Sequence, residues 1–182
     1  MIVYNERDEA EREHFDEIIE SLPENMPKVE IDECGVVENM VKEKGKSLRG
    51  VKIEMRVNGR RSKRTNVIGA LVNGVHIGVM TFKCSINSDV FEAWFEWWLL
   101  PRLSKGSAII MDNAPWHRQK VLFEIAQRLG FILIFLPKYS PDKNSIEHSW
   151  ANMKRWLRSY SNYFSTVADA VYYYFGWVLD SA

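Results

Sequence analysis

The sequence of 182 residues has few of the features that mark a secreted, disulfide-bonded or membrane protein. It contains only 2 cysteines, Cys34 and Cys84, too few for a disulfide framework and without the spacing of a zinc site. No stretch approaches the ~18 consecutive apolar residues that a membrane-spanning helix requires. The N-terminal segment is acidic, so a secretory leader is not indicated. We therefore expect a reduced, cytoplasmic protein with no membrane partner.

The sequence also lacks net charge, because 24 basic residues balance 24 acidic residues. These charges are unevenly distributed, since residues 1–38 hold 13 acids and 3 bases whereas residues 42–64 hold 10 bases and 2 acids. A concentrated basic segment attracts a polyanion through its local potential even in a neutral protein. Residues 42–64 are therefore a candidate phosphate-binding segment, although a solvated β-hairpin with a basic fringe explains the same pattern.

Hydrophobic periodicity predicts an α/β fold in a single domain. An acidic amphipathic helix ends at Pro23, and alternating segments then predict antiparallel strands, two of them joined by a hairpin at the Asn-Gly of "NVIGALVNGVHIGVMTF". A helix capped by Asn87 or Ser88 follows, then the strand "SAIIMD", a helix with a glycine stop, the strand "FILIFLP" and C-terminal helices. All-apolar strands between helices predict a mixed sheet that is covered on both faces.

Three acidic residues fall at the ends of these predicted elements. Asp32 ends the first core strand, Asp112 ends "SAIIMD", and Glu147 lies in the first turn of the helix after the last strand. Strand ends are the expected place for an active site in an open α/β sheet, and carboxylates are the ligands that Mg²⁺ and Mn²⁺ prefer. Each acid also has a structural explanation. Asp112 suits a turn, Glu147 could pair with Asn144 in a capping box, and strand alternation would bring only one of Asp32 and Glu33 to a site.

The segments "IDECG", "IIMDNAPWH" and "LPKYSPDKNSIEHSW" occur in this order, with 34 residues between Asp112 and Glu147. In these blocks, and over about residues 28–160, the sequence resembles the catalytic domain of DDE transposases of the mariner superfamily, in the bacterial insertion-sequence branch. The resemblance implies a three-layer ribonuclease-H-like fold with a mixed five-stranded sheet. It also implies that Asp32, Asp112 and Glu147 hold two Mg²⁺ or Mn²⁺ ions for cleavage and strand transfer of DNA at transposon ends.

The same resemblance implies an organisation and a set of partners. We expect an N-terminal acidic helix or linker (1–27), the catalytic domain (28–160), and a C-terminal helix (161–182) that packs on it or on a partner. The partners would be double-stranded DNA of the transposon ends and of a TA target in the nucleoid, and a second copy of the chain. The helix-turn-helix region of such transposases would be separate or missing, because residues 1–27 are too short and too acidic to form one.

Further residues have weaker assignments. Asn113 and His117 are candidates to support or orient Asp112. Trp94, Trp97 and Trp98, at helical spacing, are predicted to be core. Two alternative functions share the three acids: a ribonuclease-H-like nuclease without strand transfer, and a non-catalytic DNA-binding remnant. Candidate DNA contacts come from the basic segment, from the two lysines of the third block, and from the helix that carries Glu147; they are Arg60, Arg61, Lys63, Arg64, Lys138, Lys143, Lys154 and Arg158.

Overall fold

The computed structural model describes residues 7–38, 47–52, 54 and 63–176. Short 3₁₀ turns at Pro141–Lys143 and Ser161–Tyr163 lie on either side of the long fourth helix. The strands are β1 (Lys28–Val37), β2 (Arg64–Val72), β3 (Val75–Phe82), β4 (Ala108–Met111) and β5 (Ile132–Phe135). The helices are α1 (Glu9–Ser21), α2 (Ser88–Ala93), α3 (Gln119–Leu129), α4 (Ile146–Tyr160) and α5 (Val167–Tyr174).

The five strands form one mixed sheet in the order β3-β2-β1-β4-β5. β1 pairs antiparallel with β2 over its length but parallel with β4 only from Lys28 to Ile31. The prediction that Asp32 ends its strand is therefore wrong, because β1 continues to Val37 along β2. Asp32 instead follows the last residue of the parallel ladder with β4, and that ladder sets its place beside β4.

Helices cover both faces of the sheet, which confirms the predicted three-layer fold. Successive residues of a strand point to opposite faces. Ile31 and Ile109 therefore pack with α2 and α3 on one face, whereas Ile110 packs with α1 on the other. On that second face Cys34 and Val36 pack with α4 and α5. The α4 residues that are buried there share one face of the helix, at the spacing of an apolar helical stripe: Ile146, Trp150, Met153 and Leu157.

Several local sequence signals have the predicted structure. The Asn87 side chain accepts a hydrogen bond from the backbone of Val90 and caps α2. The hairpin turn has both Asn73 and Gly74 at positive φ, as a turn of this hand requires.

The prediction that Trp97 belongs to the core is wrong, because its side chain is 72% exposed. Residues Trp94–Leu99 form a widened π turn, and this turn moves Trp97 away from the sheet.

Some predicted features lie outside the described residues. They include most of the basic segment 42–64 with Arg60 and Arg61, half of the strand expected in "GVKIEMRV", and the end of the aromatic segment "VYYYFGWVL". None of the helices within the described ranges is both long enough and apolar enough to cross a membrane.

Candidate active site

The three predicted acids line one cavity of about 500 Å³. Asp32 comes from β1, Asp112 directly follows β4, and Glu147 lies in the first turn of α4. Ile31 and Met111 are the last residues that β1 and β4 pair in parallel, so the chain places Asp32 and Asp112 side by side at the same edge of the ladder. The rest of the lining comes from residues 113–115, 136–141 and Asn144.

The segment between β5 and α4 forms one wall of this cavity. It begins where the backbone of Leu136 bonds that of Met111, at 2.8 Å, and it continues through Tyr139, whose φ is 54°. A left-handed backbone at a residue other than glycine costs on the order of 1–3 kcal/mol and persists only where surrounding contacts impose it. Pro141 then opens the 3₁₀ turn that leads to α4. The conformation of this segment is therefore fixed by its contacts with the rest of the fold.

The start of α4 is capped by β1, and the predicted capping box of Asn144 and Glu147 is not formed. Oε2 of Glu30 accepts hydrogen bonds from the backbone N–H of Ile146, at 3.1 Å, and from the hydroxyl of Ser145. A carboxylate at a helix N-terminus satisfies free N–H groups and interacts favourably with the helix dipole. Glu147 is thus left free of the capping role that was its structural alternative. The sequence analysis missed Glu30, although strand alternation places it on the same face as Asp32.

Asp32 sits in a partly buried and negatively charged setting. Burial raises its pKa to about 7, and the charges of Glu147 and Asp112 add to that rise. The indole N–H of Trp150 donates to Oδ2 of Asp32 at 3.0 Å. Trp150 can lie this close to the sheet because residue 69 is glycine, where a Cβ would come within 3.2 Å of the indole ring. Nothing local in the sequence indicates this contact, because Trp150 and Asp32 are 118 positions apart.

Asp112 is oriented by a buried histidine. Nε2 of His117 lies 3.1 Å from Oδ1 of Asp112, and the His117 side chain is only 2% exposed. The rings of Trp116 and Phe91 pack against His117, with centroids 3.9 and 4.3 Å away, and hold it in place. Among the hydrogen bonds of the described residues none joins Asn113 to Asp112; Asn113 accepts one from Gln119 instead. The predicted support role therefore has a contact for His117 but none for Asn113.

Glu33 is a further carboxylate that the sequence analysis did not assign to a site. It lies on the opposite face of β1 from Asp32, as alternation predicts, and lines a second cavity of about 300 Å³ with Arg64 and Trp116. Burial raises the pKa of Glu33 to about 8, with smaller contributions from the charges of Asp112 and Asp32. Asp32, Glu33, Asp112 and Glu147 therefore form a group of acids, on both faces of β1, that interact electrostatically.

The predicted DNA-binding residues have different surroundings. Lys138 is exposed and lines the cavity of the three acids. Lys63 is exposed at the start of β2, and Arg64 donates to Asn66 at 2.9 Å. Lys143 is paired with Asp16, with Nζ 2.5 Å from a carboxylate oxygen, so the protein itself occupies its ammonium group. Two more lie on α4: the half-buried Lys154 and the exposed Arg158.

The acids that line the cavity fit a divalent cation by their chemistry, although they do not form a closed ligand set. Within the described residues, no three His, Cys, Asp or Glu side chains are near enough together to hold a metal ion. A carboxylate offers about four lone-pair sites, and Asp32 accepts from Trp150 and from the backbone of Glu33. Lone pairs therefore remain for a cation. Mg²⁺ and Mn²⁺ prefer such oxygen ligands and would neutralise the mutual repulsion of these acids.

A mixed five-stranded sheet covered on both faces, with acids on β1, after β4 and on α4, defines a ribonuclease-H-like fold with an acidic site. Residues 27–169 match the family model described as DDE superfamily endonuclease. The chain therefore belongs to this family.

Known proteins agree with this assignment. The Tc1 transposase of Caenorhabditis elegans is 33% identical over 69 residues, which are 38% of this chain and 25% of that protein. The structure of the Mos1 strand transfer complex is similar over 97% of this chain and 56% of the Mos1 chain, with 19% identity and a TM-score of 0.73. A Mos1 paired-end complex with Mn has a TM-score of 0.71 and 18% identity over 100% of this chain and 59% of that chain. The chain thus spans about a quarter of the curated relative and over half of the Mos1 chain.

Proposed function

We propose that this domain cleaves DNA at transposon ends and transfers the freed strand to a target, with Asp32, Asp112 and Glu147 as the metal-binding catalytic acids. The observation that carries the proposal is that three acids from three separate elements line one cavity. As turn and cap residues they would have no reason to converge. The actual capping of α4 by Glu30 removes the structural explanation for Glu147 in particular.

The three acids would hold two Mg²⁺ or Mn²⁺ ions, which when bound supply the Lewis acidity that phosphoryl transfer needs. Trp150 and His117 fix the carboxylates of Asp32 and Asp112, so these two ligands are oriented before DNA arrives. Fixed ligand orientation matters because the partners that hold a metal ligand affect metal affinity and activity. The place of the Glu147 carboxylate depends on where α4 begins. Glu30, which caps α4, and the segment that precedes the helix fix that point.

The related Mos1 complexes support the cofactor and the partners in this proposal. Paired-end complexes of Mos1 have been solved with Mn and with Mg, one of the complexes holding a left transposon end. For this chain we propose the same class of metal, DNA ends and a TA target as substrates, and a second copy of the chain as partner. A helix-turn-helix region would recognise the ends. We also propose that the chain belongs to the bacterial insertion-sequence branch and acts at the nucleoid. Its proposed parts are an N-terminal helix or linker (1–27), the catalytic domain (28–160) and a C-terminal helix (161–182).

DNA would approach over the exposed cations near the cavity. Lys138 lines the cavity itself, and Arg158 lies three turns along α4 from Glu147. Lys154 lies near Cys34 of β1. Burial raises the pKa of the Cys34 thiol, and the positive charge of Lys154 partly offsets that rise. Contacts of this kind, made to phosphates, give sequence-tolerant and strongly salt-dependent binding. The other proposed contacts lie in the basic segment and are Arg60, Arg61, Lys63 and Arg64. Lys143 is left out because its ammonium group pairs with Asp16.

The test is a strand-transfer assay that bypasses end recognition. The protein at high concentration is incubated with Mn²⁺, a supercoiled plasmid and a short duplex bearing the inverted repeat next to the reading frame, with its 3′-hydroxyl already free. We expect joined product from the wild type. Asp32→Asn, Asp112→Asn and Glu147→Gln should each lose at least about a hundredfold in rate, because a metal ligand supports several kcal/mol of transition-state stabilisation.

Glu124→Gln is the matched control, since Glu124 is an exposed acid on α3 that lines none of the cavities described here. It should join DNA like the wild type. Cleavage of the RNA strand of a hybrid without any joined product would favour a ribonuclease-H-like nuclease. DNA binding that is unaffected by Mn²⁺, with neither cutting nor joining, would refute the proposal in favour of a non-catalytic remnant.

A further inference from the structure

Helix α1 precedes the region that matches the family model, yet it is built into the fold next to the candidate active site. Its Phe15 packs in a buried cluster with Ile110 of β4 and Ile134 of β5. These apolar contacts fix α1 under the two strands that lead to the cavity. They do not by themselves connect α1 to the cavity wall.

Two ion pairs make that connection. Arg12 is only 5% exposed, and its guanidinium donates to both carboxylate oxygens of Asp142, at 3.1 and 2.6 Å. This contact with Arg12 holds the pKa of Asp142 below its usual value. One helical turn later, both oxygens of Asp16 accept from Nζ of Lys143, at 2.6 and 2.5 Å. We call these two pairs, Arg12–Asp142 and Asp16–Lys143, the α1 clamp.

The α1 clamp binds the 3₁₀ turn that directly precedes α4. Asp142 and Lys143 belong to the 3₁₀ turn Pro141–Lys143, and the residues on either side of that turn line the cavity. Backbone hydrogen bonds continue from this turn to the acid: Asn144 N–H donates to Pro141 at 3.1 Å, and Glu147 N–H donates to Asn144 at 3.3 Å. A movement of the turn is therefore passed directly to the first turn of α4.

The strength of the Arg12–Asp142 pair follows from the burial of Arg12 and from its two hydrogen bonds. A bidentate contact between arginine and carboxylate is among the stronger hydrogen-bonded pairs, and a buried cation that loses its partner is strongly destabilising. The segment held by the clamp includes Tyr139 in a left-handed conformation, which needs such external support. The clamp is therefore placed to decide where this segment, and hence Glu147, comes to rest.

We propose that α1 is a positioning element of the active site, which acts through Arg12 and Asp16 on the 141–143 turn and so sets the place of Glu147. The inference rests on the proposed function only for what Glu147 does. The positional coupling itself is a property of the fold. It assigns to Lys143 a role inside the protein, in contrast to the DNA contact predicted from its charge.

The test exchanges the charges of the more exposed pair, because variants of the buried Arg12 are at risk of not folding. Asp16 and Lys143 are 46% and 24% exposed at their side chains, so Asp16→Lys, Lys143→Asp and the double variant should all fold. Glu17→Lys is the matched control, since it makes the same charge change on α1 at a residue whose ion pair is with His14. Backbone hydrogen exchange of residues 139–147 reports the local opening of the segment without any assay of activity.

Each single variant should speed exchange in residues 139–147 by at least about fivefold, the effect of losing a favourable pair and gaining a repulsive one. Exchange in α3 should be unchanged, the control should match the wild type, and the double variant should return to within about twofold of it. Equal exchange in all five proteins would overturn the inference. So would a double variant that exchanges as fast as either single one.

DNA assays then separate the inference from the proposed function. If Lys143 positions the site, strand transfer should fall at least about fivefold in both single variants and recover in the double variant. If Lys143 contacts DNA, both variants that carry Lys143→Asp should bind DNA equally weakly and Asp16→Lys should bind normally, which would refute the positioning role. A protein without strand transfer that still shows the exchange pattern would refute the proposed function and leave the coupling established.

Discussion

Replacing Asp32 by asparagine should stabilise the metal-free protein at slightly alkaline pH and remove its response to Mn²⁺. The cause is the pKa of Asp32, raised from 3.8 to about 7 by burial and then by the charge of Glu147. A carboxyl group with a raised pKa binds its proton more tightly in the folded state than in the unfolded chain. Its contribution to stability is therefore complete below about pH 4 and is lost as the pH rises through 7.

The magnitude follows from the size of this shift. From 3.8 to about 7 the pKa changes by about 3 units, and at 1.36 kcal/mol per unit this corresponds to about 4 kcal/mol at pH 8. Asparagine carries no charge, and its carbonyl oxygen can still accept the hydrogen bond from Trp150. Without metal, Asp32→Asn should therefore exceed the wild type in unfolding free energy by up to about 4 kcal/mol at pH 8. At pH 4 the two proteins should be nearly equal.

Urea denaturation at pH 4, 6 and 8, with EDTA or with Mn²⁺, measures both effects. Mn²⁺ at a hundred times its dissociation constant should stabilise the wild type by about 2.7 kcal/mol at pH 8 and the variant far less. The advantage of the variant should therefore shrink greatly when metal is added. Parallel stability curves of the two proteins between pH 4 and 8, or an equal gain from Mn²⁺, would refute the place of Asp32 in a crowded metal-binding cluster.

Substitutions at three further positions test the contacts around the acids. Trp150→Phe removes the N–H that lowers the Asp32 pKa, so the pH-dependent loss of stability should move to higher pH in the same urea series. Glu30→Ala should cost about 1 kcal/mol of unfolding free energy through the lost cap of α4, whereas Glu30→Gln keeps an acceptor and should cost less. Gly69→Ala places a Cβ 3.2 Å from Trp150 and from Val79 and should cost about 1–3 kcal/mol in thermal or urea unfolding.

Matched variants control each of these predictions. Trp156→Phe changes a half-buried tryptophan of the same helix that packs on Tyr160 and Phe164, and it should leave the pH dependence as it is. Equal losses in Glu30→Ala and Glu30→Gln would contradict the capping role. Because phenylalanine lacks the outer indole atom that the Cβ would meet, Gly69→Ala should cost less in a Trp150→Phe background. Strict additivity of the two changes would contradict the proposed clash.

Much of this site follows from local patterns that a sequence displays directly. The apolar stripe from Ile146 to Leu157 orients α4, and the pairing of two apolar strands brings Asp112 to the edge of the sheet beside Asp32. These features depend on periodicity over a few residues, where hydrophobic burial decides the structure. The prediction that Asp32 ends its strand fails because the parallel pairing with β4 stops at Ile31 while β1 continues along β2, which offers it a longer partner.

The contacts that hold the site together are those the sequence did not reveal. Arg12 and Asp142 are 130 positions apart, and Glu30 and Ile146 are 116 apart. A charged residue on an amphipathic helix ordinarily faces solvent, so nothing local distinguishes Arg12 or Asp16 from the other charges of α1. The charge of Lys143 predicts a DNA contact for the same reason, because its partner Asp16 is 127 positions away in the sequence. Such long-range pairs become apparent only when the packing of α1 on β4 and β5 is known.

The two pairs of the α1 clamp have opposite charge order, because α1 supplies the cation of one pair and the anion of the other. Only one position of α1 along its own axis therefore places opposite charges together. On α1 the cation precedes the anion by four residues, whereas in the turn the anion Asp142 precedes the cation Lys143. If α1 slid by one turn toward its own N-terminus, Asp16 would face Asp142; in the opposite direction, Arg12 would face Lys143. Either displacement replaces an attraction by a repulsion, which an apolar contact surface alone would not do. The charges thus select a single alignment of α1 among several that the hydrophobic face of the helix would accept.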